Sequence, residues 1–93
     1  MPESDSQQIV STAWLEAHLS APDVKVLDAS WHMPDTGRDA RAEYIAAHIP
    51  GAAFFDIDDI SDTRSPLPHM APQPEKFVSR MRKLGVSDGH RVV

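Results

Sequence analysis

Residues 44–55 read YIAAHIPGAAFF, and the fold depends on how that stretch is divided. Tyr44 to Ala47 continue a helical pattern that begins after Asp39, whereas Ala52 to Phe55 are short and apolar, as in a buried strand. Pro50 and Gly51 stand between them. Proline presets a turn conformation and glycine tolerates the backbone angles that reverse a chain. The stretch therefore reads as a helix that reverses into a strand. Ala52 lets the turn lie close to the sheet, and His48, in the tight segment between them, is expected to hydrogen-bond nearby backbone.

The same alternation extends in both directions. Upstream, Asp39 caps a helix from Ala40 to about Ala47, with Glu43 favourably placed near its positive end. Before that, VKVLDAS (Val24 to Ser30) is a short, β-branched strand with Asp28 near its C-terminal end, the position where open α/β sheets bind ligands. Ser11 caps a helix from Thr12 to about Ser20 that places Trp14, Leu15 and Leu19 on one side, and Ile9–Val10 reads as a short first strand. Downstream, Pro74 opens a helix that runs to about Leu84, with Phe77, Val78, Met81 and Leu84 as its inner face and Gly85 as a left-handed stop. Val86 is expected to fold back onto Met81, and SDGH turns the chain into a last strand at Arg91. Strands alternating with helices predict an α/β domain whose mostly parallel sheet has helices on both faces.

Ninety-three residues with a net charge of −5 fit one small domain. The longest basic run, Arg80 to Lys83, falls late in a predicted helix, where cations suit the dipole, so no nucleic acid is expected as a partner. The start is polar and acidic, unlike a signal peptide, and no apolar run approaches the roughly 20 residues that span a bilayer. No membrane partner and a cytoplasmic location are expected. Residues 1–8 read as a flexible leader and residues 9–93 as one domain. The chain ends on RVV, half of a strand, so truncation before the sheet is complete is expected. The sequence contains no cysteine, which excludes a disulfide, a thiolate metal site or a cysteine nucleophile within it.

Asp56 to Gln73 is the long irregular stretch, stiffened by Pro66, Pro68 and Pro72. Loops of this length are functional or disordered. Four acids, Asp56, Asp58, Asp59 and Asp62, and one histidine, His69, lie in it. On composition alone these are solvated surface groups. Oxygen ligands suit Mg²⁺ or Ca²⁺, but the regular spacing of a calcium loop is missing, so no metal and no cofactor are expected. Arg38 reads as the partner of a nearby acid and Arg41 as an exposed helical residue, although both can face an anionic substrate. Trp14 and Trp31 read as core or interface anchors.

Taken as a block, Tyr44, His48, Ile49, Pro50, Gly51, Ala52 and Phe55 resemble the N-terminal signature of rhodanese-type sulfurtransferases. LDAS, GRDA and the FFDID…SD…SP…HM…P series extend the likeness over nearly the whole chain. It is nearest to the two-domain 3-mercaptopyruvate branch. The resemblance implies that this is the N-terminal rhodanese-like domain, that the catalytic cysteine lies on a separate C-terminal domain of the same protein, and that these residues alone are inactive. It also implies a small-molecule sulfur donor, a cysteine persulfide, and a thiol acceptor such as thioredoxin, or cyanide. Asp58 and His69 match an acid and a histidine that join a serine beside that cysteine; they are the catalytic candidates, as a supporting pair. Thiosulfate-using members commonly lack the histidine and carry Glu in place of Asp58. His69 therefore favours 3-mercaptopyruvate; thiosulfate, or a non-catalytic binding module, is the alternative.

Overall fold

The computed structural model describes residues 9–93; the leader expected over residues 1–8 lies outside the described residues. Helix α1 spans Thr12–His18, and the Ser11 hydroxyl accepts the Trp14 N–H at 3.0 Å, satisfying one of the donors a helix start leaves open. It ends two residues before the expected Ser20. His18 folds back there, its Nδ1–H donating to the Trp14 carbonyl at 2.7 Å and its ring stacking on the indole at 3.9 Å. The strand expected at Ile9–Val10 is not formed. Ile9 is 87% exposed, and among the described residues no strand pairs with this segment to take up its amides.

The strand expected at Val24–Ser30 is a ribbon that changes partners midway. Strand β1 (Val24–Lys25) pairs in parallel with β4 (Arg91–Val92), and β2 (Leu27–Asp28) pairs in parallel with β3 (Ala53–Phe54). On one side Val93 donates to Lys25 at 2.9 Å and Leu27 to Val93 at 2.8 Å; on the other Ala53 donates to Val26 at 3.0 Å and Phe55 to Asp28 at 2.8 Å. Val26, the hinge of this exchange, is buried. The ribbon stops at Asp28 because its Oδ1 accepts the Ser30 N–H at 3.0 Å, a local turn that competes with the ladder.

Helix α2 (Ala40–Ala46) starts on Asp39, whose carboxylate accepts the Ala42 N–H at 3.1 Å. The reversal that follows is a type II turn. The Ala52 N–H reaches the Ile49 carbonyl at 2.9 Å, and Gly51 adopts φ +80°, a conformation glycine reaches without a side-chain clash. The Tyr44 hydroxyl donates to the carbonyl of buried Ala52, tying helix to strand across the turn. His48 lies over the Tyr44 ring at 4.1 Å and bonds the Tyr44 carbonyl at 2.7 Å. A carbonyl only accepts, so Nδ1 carries that proton. Both helices thus end on the same device, an aromatic residue with a histidine four positions later.

The stretch expected to be irregular from Asp56 onward opens with a short helix, α3 (Ile57–Ile60), because Asp56 caps it by accepting the Asp58 N–H at 3.1 Å. Ile60 is its buried residue. Helix α4 (Pro74–Lys83) begins at proline and ends at Gly85, φ +82°, where Val86 N–H returns to the Met81 carbonyl at 2.9 Å. Met81 is buried, but Phe77 and Val78 are 48% and 46% exposed, so they are not the inner face the spacing predicts. They border an apolar cleft of about 690 Å³ with Leu27, Phe55, Val86 and Val92, which no described element fills. The core is correspondingly small: Val26, Ala52, Ile60 and Met81. No described helix is long and apolar enough to cross a membrane.

Candidate functional site

Asp58 is the second residue of α3, on a helical turn capped by Asp56. His69 is eleven positions further on and returns to it: the imidazole Nε2–H donates to Asp58 Oδ1 at 2.8 Å. The return has a visible cause. Asp62 N–H bonds the Met70 carbonyl at 2.7 Å, closing residues 62–70 into a loop. Lys76 on α4 fastens the start of that loop, its Nζ donating to the Ser61 carbonyl at 2.6 Å and to Thr63 Oγ1 at 3.3 Å. Asp62 Oδ1 and Ser65 Oγ accept the N–H groups of Arg64 and Leu67, two tight side-chain turns that shape the path between.

His69 itself sits at φ +55°, the one non-glycine residue with positive φ among the described residues. That conformation is uncommon for a side-chain-bearing residue, though histidine tolerates it better than most. It carries a cost, and such outliers gather at functional sites. The His69 side chain is 28% exposed and that of Asp58 66% exposed. Trp31 stands against the imidazole, ring centroids 4.9 Å apart and planes at 90°.

A cleft of about 420 Å³ opens beyond the C-terminal ends of β2 and β3, bordered by Ser30, Trp31, His32, Arg41 and Asp58. This is where parallel sheets present ligands. Arg38 and Glu43 form a two-pronged pair, with Nε and Nη2 at 3.0 and 2.8 Å, and His32 Nε2 adds a third contact to Glu43 at 3.1 Å. The hydrogen bonds from Arg38 hold the Glu43 carboxyl below its ordinary range. Arg41 is exposed on α2, as expected, and it pairs with Asp56 at 3.1 Å and lies over the Phe54 ring.

The remaining acids have local employment. Asp56 caps α3, Asp62 shapes the loop, and Asp59 takes Arg80 at 2.8 Å, which keeps its carboxyl below the ordinary range. Asp28 is likewise lowered, by hydrogen bonds from Ser30. Among the described residues no three His, Asp or Glu side chains converge in a metal-holding arrangement. Of the residues singled out from sequence, Asp58 and His69 meet, whereas Tyr44, His48, Pro50, Gly51 and Ala52 build the turn that carries β3 towards α3. Trp31, Glu43 and Lys76 are the site's neighbours that sequence reasoning missed. Trp31 and His69 are 38 positions apart, beyond any local periodicity.

No family model matches the chain. Individual proteins do. Over 90 residues it is 50% identical to thiosulfate/3-mercaptopyruvate sulfurtransferase 1, mitochondrial, of Arabidopsis thaliana, covering 97% of this chain and 24% of that protein. It is 48% identical over 89 residues to the 3-mercaptopyruvate sulfurtransferase of Homo sapiens, covering 91% and 30%. Among solved structures, a 3-mercaptopyruvate sulfotransferase from Escherichia coli, described as having the rhodanese fold, superposes with a TM-score of 0.74 at 47% identity, covering 81% of this chain and 29% of that one. The chain spans between 24% and 30% of the length of these relatives. It is homologous to the N-terminal part of 3-mercaptopyruvate and thiosulfate sulfurtransferases, and its fold is part of a rhodanese domain.

Proposed function

We propose that this chain is the N-terminal part of a sulfurtransferase that takes sulfur from 3-mercaptopyruvate and passes it, through a persulfide on a cysteine of a second rhodanese-like domain, to a thiol such as thioredoxin or to cyanide. The contact between His69 Nε2 and Asp58 Oδ1 is the observation that carries this reading. A carboxylate oxygen only accepts, so the shared proton sits on Nε2 and the other ring nitrogen, Nδ1, keeps its lone pair. The carboxylate also stabilises the imidazolium that forms when Nδ1 takes a proton. The pair is thus built to accept a proton from a hydroxyl or thiol brought to it.

The donor's chemistry explains why that matters. The cysteine thiolate attacks the thiol sulfur of 3-mercaptopyruvate; an S–S bond forms, the C–S bond breaks, and its electron pair passes to carbon as the pyruvate enolate. The thiol proton must leave sulfur and a proton must reach that carbon. His69, acting through a hydroxyl of the cysteine-bearing domain, is the group that relays it. Thiosulfate gives sulfite by the same attack and has no proton to move.

One observation favours a second reading: the name of the Arabidopsis thaliana relative covers both donors. In the full-length protein, His69→Ala is expected to lower 3-mercaptopyruvate turnover more than thiosulfate turnover. Equal loss on both donors assigns His69 to packing, and a full-length protein without a cysteine loop in a second domain overturns the reading altogether.

A further inference from the structure

We propose that Trp31 is a positioning residue for His69, held in place by a clamp centred on Glu43; this rests on the proton-relay role proposed for the Asp58–His69 pair. A single hydrogen bond to Asp58 fixes one point of the imidazole but not its plane, and the relay needs the Nδ1 lone pair aimed in one direction. The perpendicular indole at 4.9 Å supplies the missing constraint, since swinging the imidazole about its bond to Asp58 breaks the edge-to-face contact.

Trp31 belongs to no helix or strand, so something must hold it. The segment is pinned on both sides. Before it, Ser30 N–H bonds Asp28 Oδ1 at the end of β2 at 3.0 Å. After it, His32 reaches Glu43 Oε1 at 3.1 Å, the turn Pro34–Thr36 is closed by Thr36 Oγ1 on the Met33 carbonyl at 2.8 Å, and Arg38 grips both Glu43 oxygens. Glu43 stands on α2, a capped helix joined to β3 through Tyr44 and Ala52. It therefore ties the loop to the element whose far end leads into α3 and Asp58. Trp31 is 39% exposed and borders the cleft, which a residue serving only to fill core would not do.

The test uses the full-length protein with labelled histidine, reading the His69 side-chain couplings alongside turnover of both sulfur donors. An aromatic pair of this kind biases an equilibrium about three- to tenfold, so Trp31→Ala should lower the ratio of major to minor His69 rotamer by about that factor. kcat for 3-mercaptopyruvate should fall in parallel, while its KM and the thiosulfate rate change less than about twofold. Trp31→Phe should restore both readouts, and Glu43→Gln should reproduce the averaging with Trp31 intact. Unchanged His69 couplings in Trp31→Ala overturn the proposal. Should that variant not fold, unchanged couplings in Glu43→Gln overturn it equally, because the clamp then does not hold the indole against the imidazole. Averaged couplings with equal slowing on both donors uphold the positioning role and refute the proton relay instead.

Discussion

Replacing His69 with glycine and with alanine separates what the residue costs from what it contributes. Both substitutions delete the imidazole. Both therefore lose the pair with the exposed Asp58, about 0.2–1 kcal/mol, and the contact with Trp31, about 0.5–1.5 kcal/mol. They differ in the backbone. At φ +55° alanine keeps the left-handed strain, roughly 1–2 kcal/mol, while glycine is free of it but gives up roughly 0.5–1 kcal/mol more chain entropy on folding. Because the lost contacts are common to both, the difference is that strain net of the extra chain entropy glycine loses on folding. His69→Gly should be more stable than His69→Ala by about 1 kcal/mol, which for a domain of this size is about 4–8 °C in melting temperature. Relative to wild type, alanine should destabilise by roughly 1–2 kcal/mol and glycine by roughly 0–1 kcal/mol. Thermal and urea unfolding of the two variants side by side measure this. Turnover of 3-mercaptopyruvate by the full-length protein should fall equally in both. An alanine variant as stable as the glycine variant would refute the strained conformation. A glycine variant that retains turnover would refute the role assigned to the ring.

Two further outcomes follow from the geometry. Tyr44→Phe removes the hydroxyl that satisfies the carbonyl of buried Ala52 and should cost about 1–2 kcal/mol in urea unfolding; a neutral result would mean that water replaces the bond. Asp59 has its carboxyl lowered by Arg80, so its contribution is present above the ordinary carboxylate range near pH 4 and fades as pH falls through the lower folded value. Because the pair is exposed, Asp59→Asn should lose only about 0.5 kcal/mol at neutral pH and should flatten the acid limb of the stability profile. A variant with an unchanged acid limb would show that Arg80 is not its partner in solution.

Much of the local architecture is legible in the sequence because it depends on neighbours. Ser11 and Asp39 are readable as caps from the helices that follow them, and both accept the expected N–H groups. Pro50 and Gly51 are readable as a reversal, and Gly51 takes the positive φ that a type II turn needs. The errors lie where the outcome depends on a distant partner. Ile9–Val10 has strand composition but no partner strand among the described residues. Phe77 and Val78 have helical spacing, yet the surface opposite them is a cleft. Val24–Ser30 was legible as a strand, but not its exchange of partners at Val26, since that exchange is set by residues 53–55 and 91–93.

The candidate site divides along the same line. By itself the sequence determined the alternation of helix and strand, the turn at Pro50–Gly51, the absence of a nucleophilic thiol from these residues, and Asp58 and His69 as the pair to examine. All but the last are properties of composition and short spacing; the pair is marked by the resemblance to rhodanese-type sulfurtransferases. Only the tertiary structure decided that the two side chains meet, that Asp56, Asp59 and Asp62 serve caps, turns and ion pairs instead, and that Trp31 stands against His69. Those facts arise from loop closure through Asp62, Met70 and Lys76 and from contacts between segments far apart in the chain. Side-chain chemistry is local to a residue, whereas the direction in which it points is a property of the packed chain.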